Sequence, residues 1–363
     1  MPKLDIIGVS KIYGNIHALN EVSLHVEDKQ YVCVIGPSGC GKSTLIRCIS
    51  GIEQPSSGEI YVDGKSVKGT LIEDRQIGYV FQDIALFPHL TVHDNLAYGL
   101  AVRQTPNKEM RTVTNEMLGL INMRDRSRSY PNELSGGAQQ KVAVGRAIAT
   151  GVHLFLLDEP LGALDAIVRA ELRYELRKLA SDLGLTVIHV THDQEEALSI
   201  ADRVVIMKNG RIVEVGKPTE IYHHPKTLFT ANFVGETNLL EGTVSKIEST
   251  RCTVDISGHR VSLANQNKKM GQRVVISIRP ESVLLTPHTE EGWVGRIMQV
   301  TFLGSLNRYV IDVGGIDVVS EVSTTEYSTG FRVGESASLF LKEANMTLFD
   351  YPEEGLEKEV RLE

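Results

Sequence analysis

A glycine-rich segment carries the clearest chemistry in the sequence. It follows the apolar stretch Tyr31–Ile35 and leads into a predicted helix that begins near Ser43. Its spacing fits G-x-x-x-x-G-K-[ST], a loop whose backbone N–H groups surround phosphate oxygens. The alternative is a glycine-rich turn without a ligand, but such a turn requires neither the preceding strand nor the following helix. The segment therefore predicts an ATP site. The residues predicted to contact ATP are Gly36, Pro37, Ser38, Gly39, Cys40, Gly41, Lys42, Ser43 and Thr44.

Two side chains of this segment add charge and a metal ligand. We expect Lys42 to place an ammonium group near the β- and γ-phosphates, and Ser43 to offer its hydroxyl to Mg²⁺. The N-terminus of the following helix adds a partial positive charge. The sequence thus predicts catalytic help from Lys42 and a magnesium ion beside Ser43.

Two adjacent acids, Asp158 and Glu159, follow the apolar run Leu154–Leu157. A run of this kind suits a strand that is covered on both faces of a parallel sheet, and ligands gather at the carboxyl ends of such strands. We expect Asp158 to hold Mg²⁺ and Glu159 to accept a proton from an attacking water as general base. The alternative is that the two acids only mark an exposed strand end and have no catalytic role. The glycine-rich loop in the same part of the chain favours the catalytic interpretation.

The elements that must position these residues alternate between short strands and helical segments. Such alternation predicts an α/β fold with a largely parallel sheet. The predicted strands are Tyr31–Ile35, Ile77–Phe81, Leu154–Leu157, Val187–Val190 and Val204–Met207.

The pattern changes after residue 237. Residues 238–363 contain short strands with turns at Ser257-Gly258 and Gly314-Gly315, and they predict a small all-β, OB-like domain. The sequence therefore predicts two domains, 1–237 and 238–363. The acidic end, 353–363, is compatible with either a helix or a disordered chain. The predicted strands of the second domain are Val274–Ile278, Val294–Phe302, Arg308–Val313 and Ser338–Leu341.

Composition narrows the possible partners. The 363 residues carry a net charge of −8, which argues against nucleic acid as a main partner. No stretch approaches the roughly 18 apolar residues of a membrane span, and the first residues do not resemble a signal peptide. The four cysteines lack metal-ligand spacing and suit reduced thiols in the cytosol.

Further motifs in the same half of the chain resemble those of ABC transporter ATPases. The segment Leu134–Gln139 resembles the signature of that family, and Leu161–Asp165 resembles its D-loop. The residues that carry the remaining resemblance are Tyr13 (adenine stacking), Gln82 (the Q-loop) and His192 (the switch histidine).

The resemblance implies a role for each residue. Tyr13 stacks on adenine, Gln82 assists Mg²⁺ and His192 joins Glu159 and Lys42 in catalysis. It also implies a head-to-tail dimer of two copies, or pairing with a similar ATPase, in which each ATP lies between Lys42 of one chain and the signature of the other. The residues of the second chain that it implies as nucleotide contacts are Ser135, Gly136, Gly137, Gln139 and Asp165.

Two residues depart from the expected pattern. Ala138 occupies the fifth signature position, where the family most often has glutamine. Gly145 lies inside the signature helix, at a cost of roughly 1 kcal/mol relative to alanine. We expect a changed rate and not a loss of activity.

Other segments resemble those of solute importers. Residues 84–96 resemble the segment that receives a coupling helix of the membrane subunit, within a helical subdomain of about 84–148; ordinary packing of that subdomain is compatible with the same pattern. Ile278–Glu281 and Thr301–Gly304 resemble the TOBE extension, which implies a role in dimer contact or regulation. The resemblance implies two membrane-spanning permease subunits, an indirectly associated solute-binding protein and a peripheral position on the cytoplasmic face of the membrane.

The solute is less well indicated. Phe233–Asn238 resembles importers of polyamines and ferric iron more than importers of sugars, which stay an alternative. An ABC ATPase of translation or DNA repair is an alternative from another class, but such chains usually carry two ATPase units or a coiled-coil insertion.

The chemistry of the loop also suggests a reactive thiol. Cys40 lies between two glycines, at the start of a helix and two residues from Lys42. A helix N-terminus and an ammonium group both favour thiolate, so we expect a pKa below the usual value of about 8.5 and rapid labelling by maleimides.

Overall fold

The computed structural model describes residues 3–162, 164–289, 291–324 and 330–361. The chain divides into two units between Thr219 and Glu220. The sequence-based boundary at residues 237 and 238 lies later, because the segment after Glu220 packs with the second unit. No helix in the described ranges is long and apolar enough to cross a membrane.

The first unit combines two sheets with six helices among its described residues. Its strands are β1 (Leu4–Tyr13), β2 (Ile16–Val26), β3 (Tyr31–Ile35), β4 (Ser57–Val62), β5 (Lys65–Ser66), β6 (Ile77–Val80), β7 (Leu154–Asp158), β8 (Thr186–Val190), β9 (Arg203–Lys208) and β10 (Arg211–Gly216). Its helices are α1 (Lys42–Ser50), α2 (Val92–Val102), α3 (Asn107–Leu120), α4 (Gly136–Ala149), α5 (Ala166–Asp182) and α6 (Gln194–Ile200).

The larger sheet confirms the predicted α/β class. Its order is β10-β9-β3-β8-β7-β6, and every pair is parallel except β9 with β10. Every residue of β3, β7 and β8 is buried, as expected for strands covered on both faces. Parallel pairing places the carboxyl ends of these strands along one edge.

A second, antiparallel sheet was not among the sequence predictions. Its order is β2-β1-β4-β5. Pairing between β1 and β2 shifts register between Ile6 and Val9, and Gly8 and Glu21 have positive φ angles of 57° and 52°. These irregularities interrupt the two-residue alternation that identifies a strand in a sequence. One hydrophobic core joins both sheets and α1.

Glycine in the middle of α4 has a packing function. A Cβ atom on Gly145 would lie 3.0 Å from Leu96 Cδ2 and 3.1 Å from Ile121 Cδ1. Its absence lets α4 pack closely against α2 and the end of α3. This packing offsets the cost of a helical glycine that the sequence suggests.

The second unit is an all-β, barrel-like domain, as predicted. Two five-stranded antiparallel sheets, β13-β12-β11-β14-β20 and β15-β19-β16-β17-β18, share one core. Its strands are β11 (Asn238–Ile247), β12 (Arg251–Ile256), β13 (His259–Ala264), β14 (Arg273–Ile278), β15 (Val283–Pro287), β16 (Trp293–Phe302), β17 (Leu306–Asp312), β18 (Asp317–Ser323), β19 (Ser336–Leu341) and β20 (Met346–Asp350). Its helices are α8 (Leu228–Phe233) and α9 (Leu356–Val360), and the division between the units falls within α7 (Pro218–His223).

A buried arginine connects the barrel to the segment that precedes it. Arg279 is 5% exposed. Its guanidinium donates to the carbonyl oxygens of Tyr222 at 3.0 Å, Ala231 at 2.9 Å and Glu236 at 3.0 Å. These bonds, with the packing of α8 on Val275, explain why residues after Glu220 belong to the second unit.

We predict that Arg279→Met lowers the free energy of unfolding of the second unit by at least about 2 kcal/mol. Methionine keeps the apolar stem but leaves buried carbonyl groups without donors, each costing roughly 1–3 kcal/mol. Denaturant unfolding followed by the fluorescence of Trp293 measures the change, because this tryptophan lies in the barrel. Arg260→Met is the control, since that side chain is exposed and should leave the midpoint near wild type. Equal midpoints for both variants would contradict the assignment.

Candidate functional site

The glycine-rich loop has a conformation that requires its glycines. Gly39 and Gly41 have φ angles of 76° and 106°. A Cβ atom on Gly41 would lie 2.3 Å from the carbonyl oxygen of Ala18, and one on Gly36 would lie 2.3 Å from that of Met207. Any side chain at these positions would displace the loop from β2 and β9, so this backbone accepts only glycine there.

Lys42 provides the positive charge within this loop. Its Nζ atom donates to the carbonyl oxygens of Gly36 at 2.8 Å and Pro37 at 3.0 Å. Both partners are neutral, so the charge stays available to an anion. Helix α1 begins here, after Gly41, without a side-chain cap or a first-turn acid among its described residues, and Thr44 lies in the same turn. Ser38 and Gly39 are exposed. The loop therefore offers an anion free N–H groups and an ammonium group.

Asp158 is buried at the end of β7 and faces two hydroxyl groups. Ser43 Oγ lies 3.3 Å from its Oδ1 atom, and the Tyr79 hydroxyl donates to its Oδ2 atom at 2.9 Å. A carboxylate beside a serine hydroxyl is a hard oxygen donor set, which fits Mg²⁺ with water completing its coordination. Burial, followed by the charge of Asp158, raises the pKa of Tyr79, so this phenol remains a donor.

Tyr79 was not among the predicted site residues. It lies in β6, which the sequence analysis identified, but its function depends on the pairing of β6 with β7. Tyr79 is directly opposite Leu156, two residues before Asp158. Identifying Tyr79 as a site residue therefore required the order of strands in the sheet.

Glu159 receives contacts from two predicted residues on different elements. Gln82 Nε2 donates to its Oε2 atom at 3.1 Å, and His192 Nδ1 lies 3.2 Å from the same oxygen. Its backbone has a φ angle of 47°, and its N–H group donates to the carbonyl oxygen of Val190 at 2.9 Å. A non-glycine residue in this region carries strain of about 1–3 kcal/mol, which is typical of functional positions. The structure thus brings Gln82, Glu159 and His192 together.

A buried network fixes the turn that carries His192. His189 and Glu196 are 0% and 2% exposed, and His189 Nε2 lies 3.2 Å from Glu196 Oε1. The Thr191 hydroxyl donates to the other oxygen of Glu196 at 2.6 Å. Burial alone would raise the pKa of Glu196, but His189 and Thr191 outweigh it and lower that pKa. The charged carboxylate therefore anchors the residues on both sides of His192.

Arg169 connects this turn to the segment before α5. Its guanidinium donates to the carbonyl oxygen of Leu164 at 2.8 Å and to Asp193 Oδ2 at 3.2 Å. Asp193 also accepts from the backbone N–H of Glu196 at the start of α6. Sequence reasoning missed this arginine because no local motif marks it.

The signature residues form the start of α4. Ser135 is the N-cap, and its Oγ atom accepts from Ala138 N at 3.4 Å. Gln139 Nε2 donates to the carbonyl oxygens of Pro131 at 2.9 Å and Leu134 at 3.2 Å, so its amide nitrogen holds the preceding turn. A Cβ atom on Gly137 would lie 2.8 Å from Val168, and Gly136 is exposed. The helix start therefore presents Ser135 and Gly136 at the surface.

The D-loop segment ends in another helix cap. Asp165 Oδ1 accepts from Val168 N at 3.0 Å at the start of α5. Ala163, within the same predicted segment, lies outside the described residues. Among the residues that the structure describes, this cap uses one carboxylate oxygen of Asp165 and leaves the other available.

Tyr13 is exposed at the end of β1. The residue is 42% exposed, and Lys11 Nζ lies 4.9 Å from the centroid of its ring. Glu53 holds this ammonium group at 2.9 Å. Burial and the Glu53 carboxylate raise the pKa of the Tyr13 phenol. A neutral aromatic ring thus stands free to stack on a flat ligand.

The expectation of a reactive Cys40 is wrong. Its thiol is 4% exposed, and a Cβ atom on Gly36 would lie 2.6 Å from its Sγ atom, which shows that the sulfur packs inside the loop. Burial raises the pKa of Cys40 and outweighs the opposing charge of Lys42. The prediction failed because sequence position indicates nearby charge but not the direction of the side chain.

We predict that maleimide labels Cys40 no faster than Cys33 or Cys48 in the folded protein near pH 7.5. All four cysteines are free and buried, and burial raises the pKa of Cys48 to about 11. Labelling should increase only above the ordinary thiol pKa of about 8.5, as thiolate forms. Peptide mass spectrometry of timed samples measures the rates, and urea-unfolded protein is the control in which all four react. Selective labelling of Cys40 would overturn this conclusion.

Comparison with protein families identifies two matching segments. A model described as ABC transporter matches residues 19–162, and a model described as TOBE domain matches residues 276–349.

Similar proteins extend the match over most of the chain. A spermidine/putrescine import ATP-binding protein, PotA of Thermobifida fusca, is 39% identical over 329 residues, which cover 88% of this chain and 86% of that protein. A Fe(3+) ions import ATP-binding protein, FbpC 2 of Rhizobium meliloti, is 46% identical over 270 residues, covering 74% and 67%.

Solved structures resemble part of the chain. An ATP-binding cassette in a dimeric, post-hydrolysis state bound to ADP and Pi has a TM-score of 0.53 and 32% identity, covering 59% of this chain and 98% of that chain. The cbiO1 component of an ABC transporter complex from Clostridium perfringens has a TM-score of 0.58 and 28% identity, covering 64% and 94%.

Proposed function

Because this chain belongs to the ABC transporter ATPase family, with a C-terminal TOBE domain, we propose that it hydrolyses ATP to energise solute import, as a translocase subunit. One observation carries the proposal. The carboxylate of Glu159 lies within hydrogen-bond distance of Gln82 and His192, directly after Asp158, which contacts Ser43 of the glycine-rich loop. The proposed general base, the proposed metal ligands and the glycine-rich loop therefore lie at the same edge of one sheet.

ATP would bind along the loop that begins at Gly36. The backbone N–H groups of residues 36–44 surround the phosphates, and Lys42 neutralises the β- and γ-phosphates once they replace its carbonyl partners. Tyr13 stacks on adenine. The residues assigned to nucleotide contact within this chain are Tyr13, Gly36, Pro37, Ser38, Gly39, Cys40, Gly41, Lys42, Ser43, Thr44 and Gln82.

Ser43 and Asp158 would hold Mg²⁺, with Gln82 as a third ligand. A bound Mg²⁺ polarises the phosphate oxygens and neutralises charge that develops on them. Tyr79 holds Asp158 in place through its hydroxyl, while Ser43 approaches from the loop. Gln82 bonds to Glu159 in this structure, and its side-chain oxygen is the atom left for a metal.

Glu159 would act as general base. It accepts a proton from the attacking water, while His192 and Gln82 hold its carboxylate in position. The network of His189, Thr191 and Glu196 keeps the His192 turn rigid during this step.

A second copy of the chain would complete the site. Ser135 and Gly136 are exposed at the start of α4, where free N–H groups and the helix dipole favour the γ-phosphate of a partner-bound ATP. We propose that Gly137, Gln139 and Asp165 support that surface. A similar cassette is described as dimeric with ADP and Pi, which supports the arrangement.

Two permease subunits would bind the surface formed by residues 84–96. Asn95 holds this segment by donating to the carbonyl oxygens of Phe87, Leu90 and Thr91. The ring of Phe87 packs against that of Tyr98 in a tilted arrangement, with centroids 4.2 Å apart. A short amphipathic helix of a permease subunit would lay its apolar face against this segment. The protein would thus lie at the cytoplasmic face of the membrane, with a solute-binding protein acting on the other side. Nucleic acid has no part in this assignment.

The solute belongs to the polyamine or ferric-iron group in this proposal, since the relatives are named for import of spermidine/putrescine or Fe(3+). A sugar importer with the same architecture is the alternative. The second unit would serve dimer contact or regulation, separately from the catalytic residues before Thr219.

Affinity capture of the full chain from detergent-solubilised membranes tests the transporter assignment. We expect two polytopic membrane proteins to co-purify in a fixed ratio. Recovery of ribosomal or DNA-repair proteins instead would favour a non-transport ABC ATPase.

We predict that Glu159→Gln lowers steady-state ATP hydrolysis by roughly 10²–10⁴-fold and preserves ATP binding. Glutamine keeps the shape and the contact with His192 but cannot take the proton from water. Phosphate release and equilibrium binding of a fluorescent ATP analogue measure the two properties. Glu109→Gln, an exposed carboxylate in α3, is the matched control. Wild-type turnover in Glu159→Gln would remove this residue from the role of base.

We predict that Tyr13→Ala weakens nucleotide binding by about 1–3 kcal/mol, as expected for loss of base stacking. Tyr13→Phe should bind nearly as wild type, because the ring makes the contact. Titration calorimetry with ADP compares the three proteins. Equal losses in both variants would contradict stacking.

A further inference from the structure

Two irregular segments lie beside the contact between Glu159 and His192. The first follows Glu159, and a Cβ atom on Gly162 would lie 3.6 Å from His192 Cε1 and 3.8 Å from Glu159 Oε2. The second is the turn that carries His192, and Asp193 follows it directly. Neither His192 nor Gly162 belongs to a helix or a strand. Specific bonds between the two segments must therefore hold them in place.

Arg169, near the start of α5, bonds to both segments. Its Nη2 atom donates to the carbonyl oxygen of Leu164 at 2.8 Å, and its Nη1 atom donates to Asp193 Oδ2 at 3.2 Å. A guanidinium group is planar and rigid, so bonds from its two terminal nitrogen atoms fix the separation of the two acceptors. Arg169 therefore determines how far Leu164 lies from the residue that follows His192.

Asp193 connects Arg169 to the backbone around His192. Its Oδ1 atom accepts from Glu196 N at 3.0 Å as the N-cap of α6, and its own N–H group donates to Thr191 Oγ1 at 3.0 Å. Burial alone would raise the pKa of Asp193, but the N–H group of Glu196 and the guanidinium of Arg169 outweigh it and lower that pKa. The charged carboxylate is thus fixed at both oxygens, and it restricts the backbone next to His192.

We propose that Arg169 is a positioning residue for ATP hydrolysis, which holds His192 within hydrogen-bond distance of Glu159 by joining Asp193 to Leu164. The inference rests on the role of general base proposed for Glu159. Without the guanidinium, the two segments lose this bridge, and the 3.2 Å contact between His192 Nδ1 and Glu159 Oε2 is no longer maintained. Among the described residues, the guanidinium bonds of Arg169 go to Leu164 and Asp193 and not to the residues assigned to ATP, so nucleotide binding does not depend on them.

Arg173, one turn further along α5, provides a matched control. Its Nη2 atom lies 3.8 Å from the same Asp193 oxygen and its Nη1 atom donates to Ser199 Oγ at 3.3 Å, while no bond of its side chain in the described ranges reaches Leu164. The two arginine side chains are similarly accessible, at 26% and 16%. Loss of either one removes an ion pair with Asp193, so both losses should affect stability to a similar degree. Only the loss of Arg169 removes the bridge to Leu164.

Steady-state ATP hydrolysis by the full chain tests the proposal. We expect Arg169→Gln to lower kcat by roughly 10- to 100-fold and to leave KM for ATP within about threefold of wild type, because a small displacement of a catalytic group slows the reaction without weakening binding. Arg173→Gln should keep kcat within about twofold of wild type, since a partly exposed ion pair at this distance contributes little. Thermal unfolding of both variants measures their stability, and similar midpoints would show that the difference in kcat does not come from unfolding.

A double variant tests whether Arg169 acts through Asp193. Asp193→Asn keeps an oxygen for the cap of α6 and removes the charge that Arg169 contacts. If the two residues act through one bridge, Arg169→Gln/Asp193→Asn should have a kcat within about twofold of Arg169→Gln alone. Losses that multiply, an equal fall of kcat in Arg173→Gln, or wild-type kcat in Arg169→Gln would overturn the inference and leave Glu159 as the base. Absence of hydrolysis by wild type would instead overturn the proposed function itself, and the inference with it.

Discussion

Parallel pairing of β3, β8, β7 and β6 is the constraint on which the site depends. Val190 of β8 lies opposite both Asp158 of β7 and Val34 of β3. The loops that follow these three strands therefore leave the sheet side by side. The loop after β3, the acids after β7 and the histidine turn after β8 therefore meet without long side chains to bridge them. Loss of this register would separate Glu159 from His192 even if each local motif folded correctly.

Buried charges then restrict the loops that leave this edge. Glu196 is held by His189 and Thr191 beneath the turn of His192, and Arg169 joins that turn to Leu164. Such groups are costly to bury unless every partner is present, so they favour one geometry over nearby alternatives. In the second unit Arg279 acts similarly, because its guanidinium is satisfied only when residues 222–236 take one path.

The sequence by itself determined the chemistry and the fold class. Three local patterns carried this information: the glycines around Lys42, the acids after an apolar strand, and the alternation of strands and helices. Each pattern depends on backbone conformation or burial within a short stretch of sequence, so it can be identified without the fold. The family and the barrel-like second domain followed from the same kind of evidence. These signals indicated which residues could act, although the roles assigned to individual side chains remain predictions.

Only the tertiary structure decided what surrounds those residues. Tyr79 reaches Asp158 because β6 pairs with β7. Cys40 is buried because its thiol points into the loop and not toward solvent. The antiparallel sheet and the position of residues after Glu220 likewise depend on contacts between distant segments. Strand order, side-chain direction and burial are properties of packing, and residues far apart in the sequence determine them together.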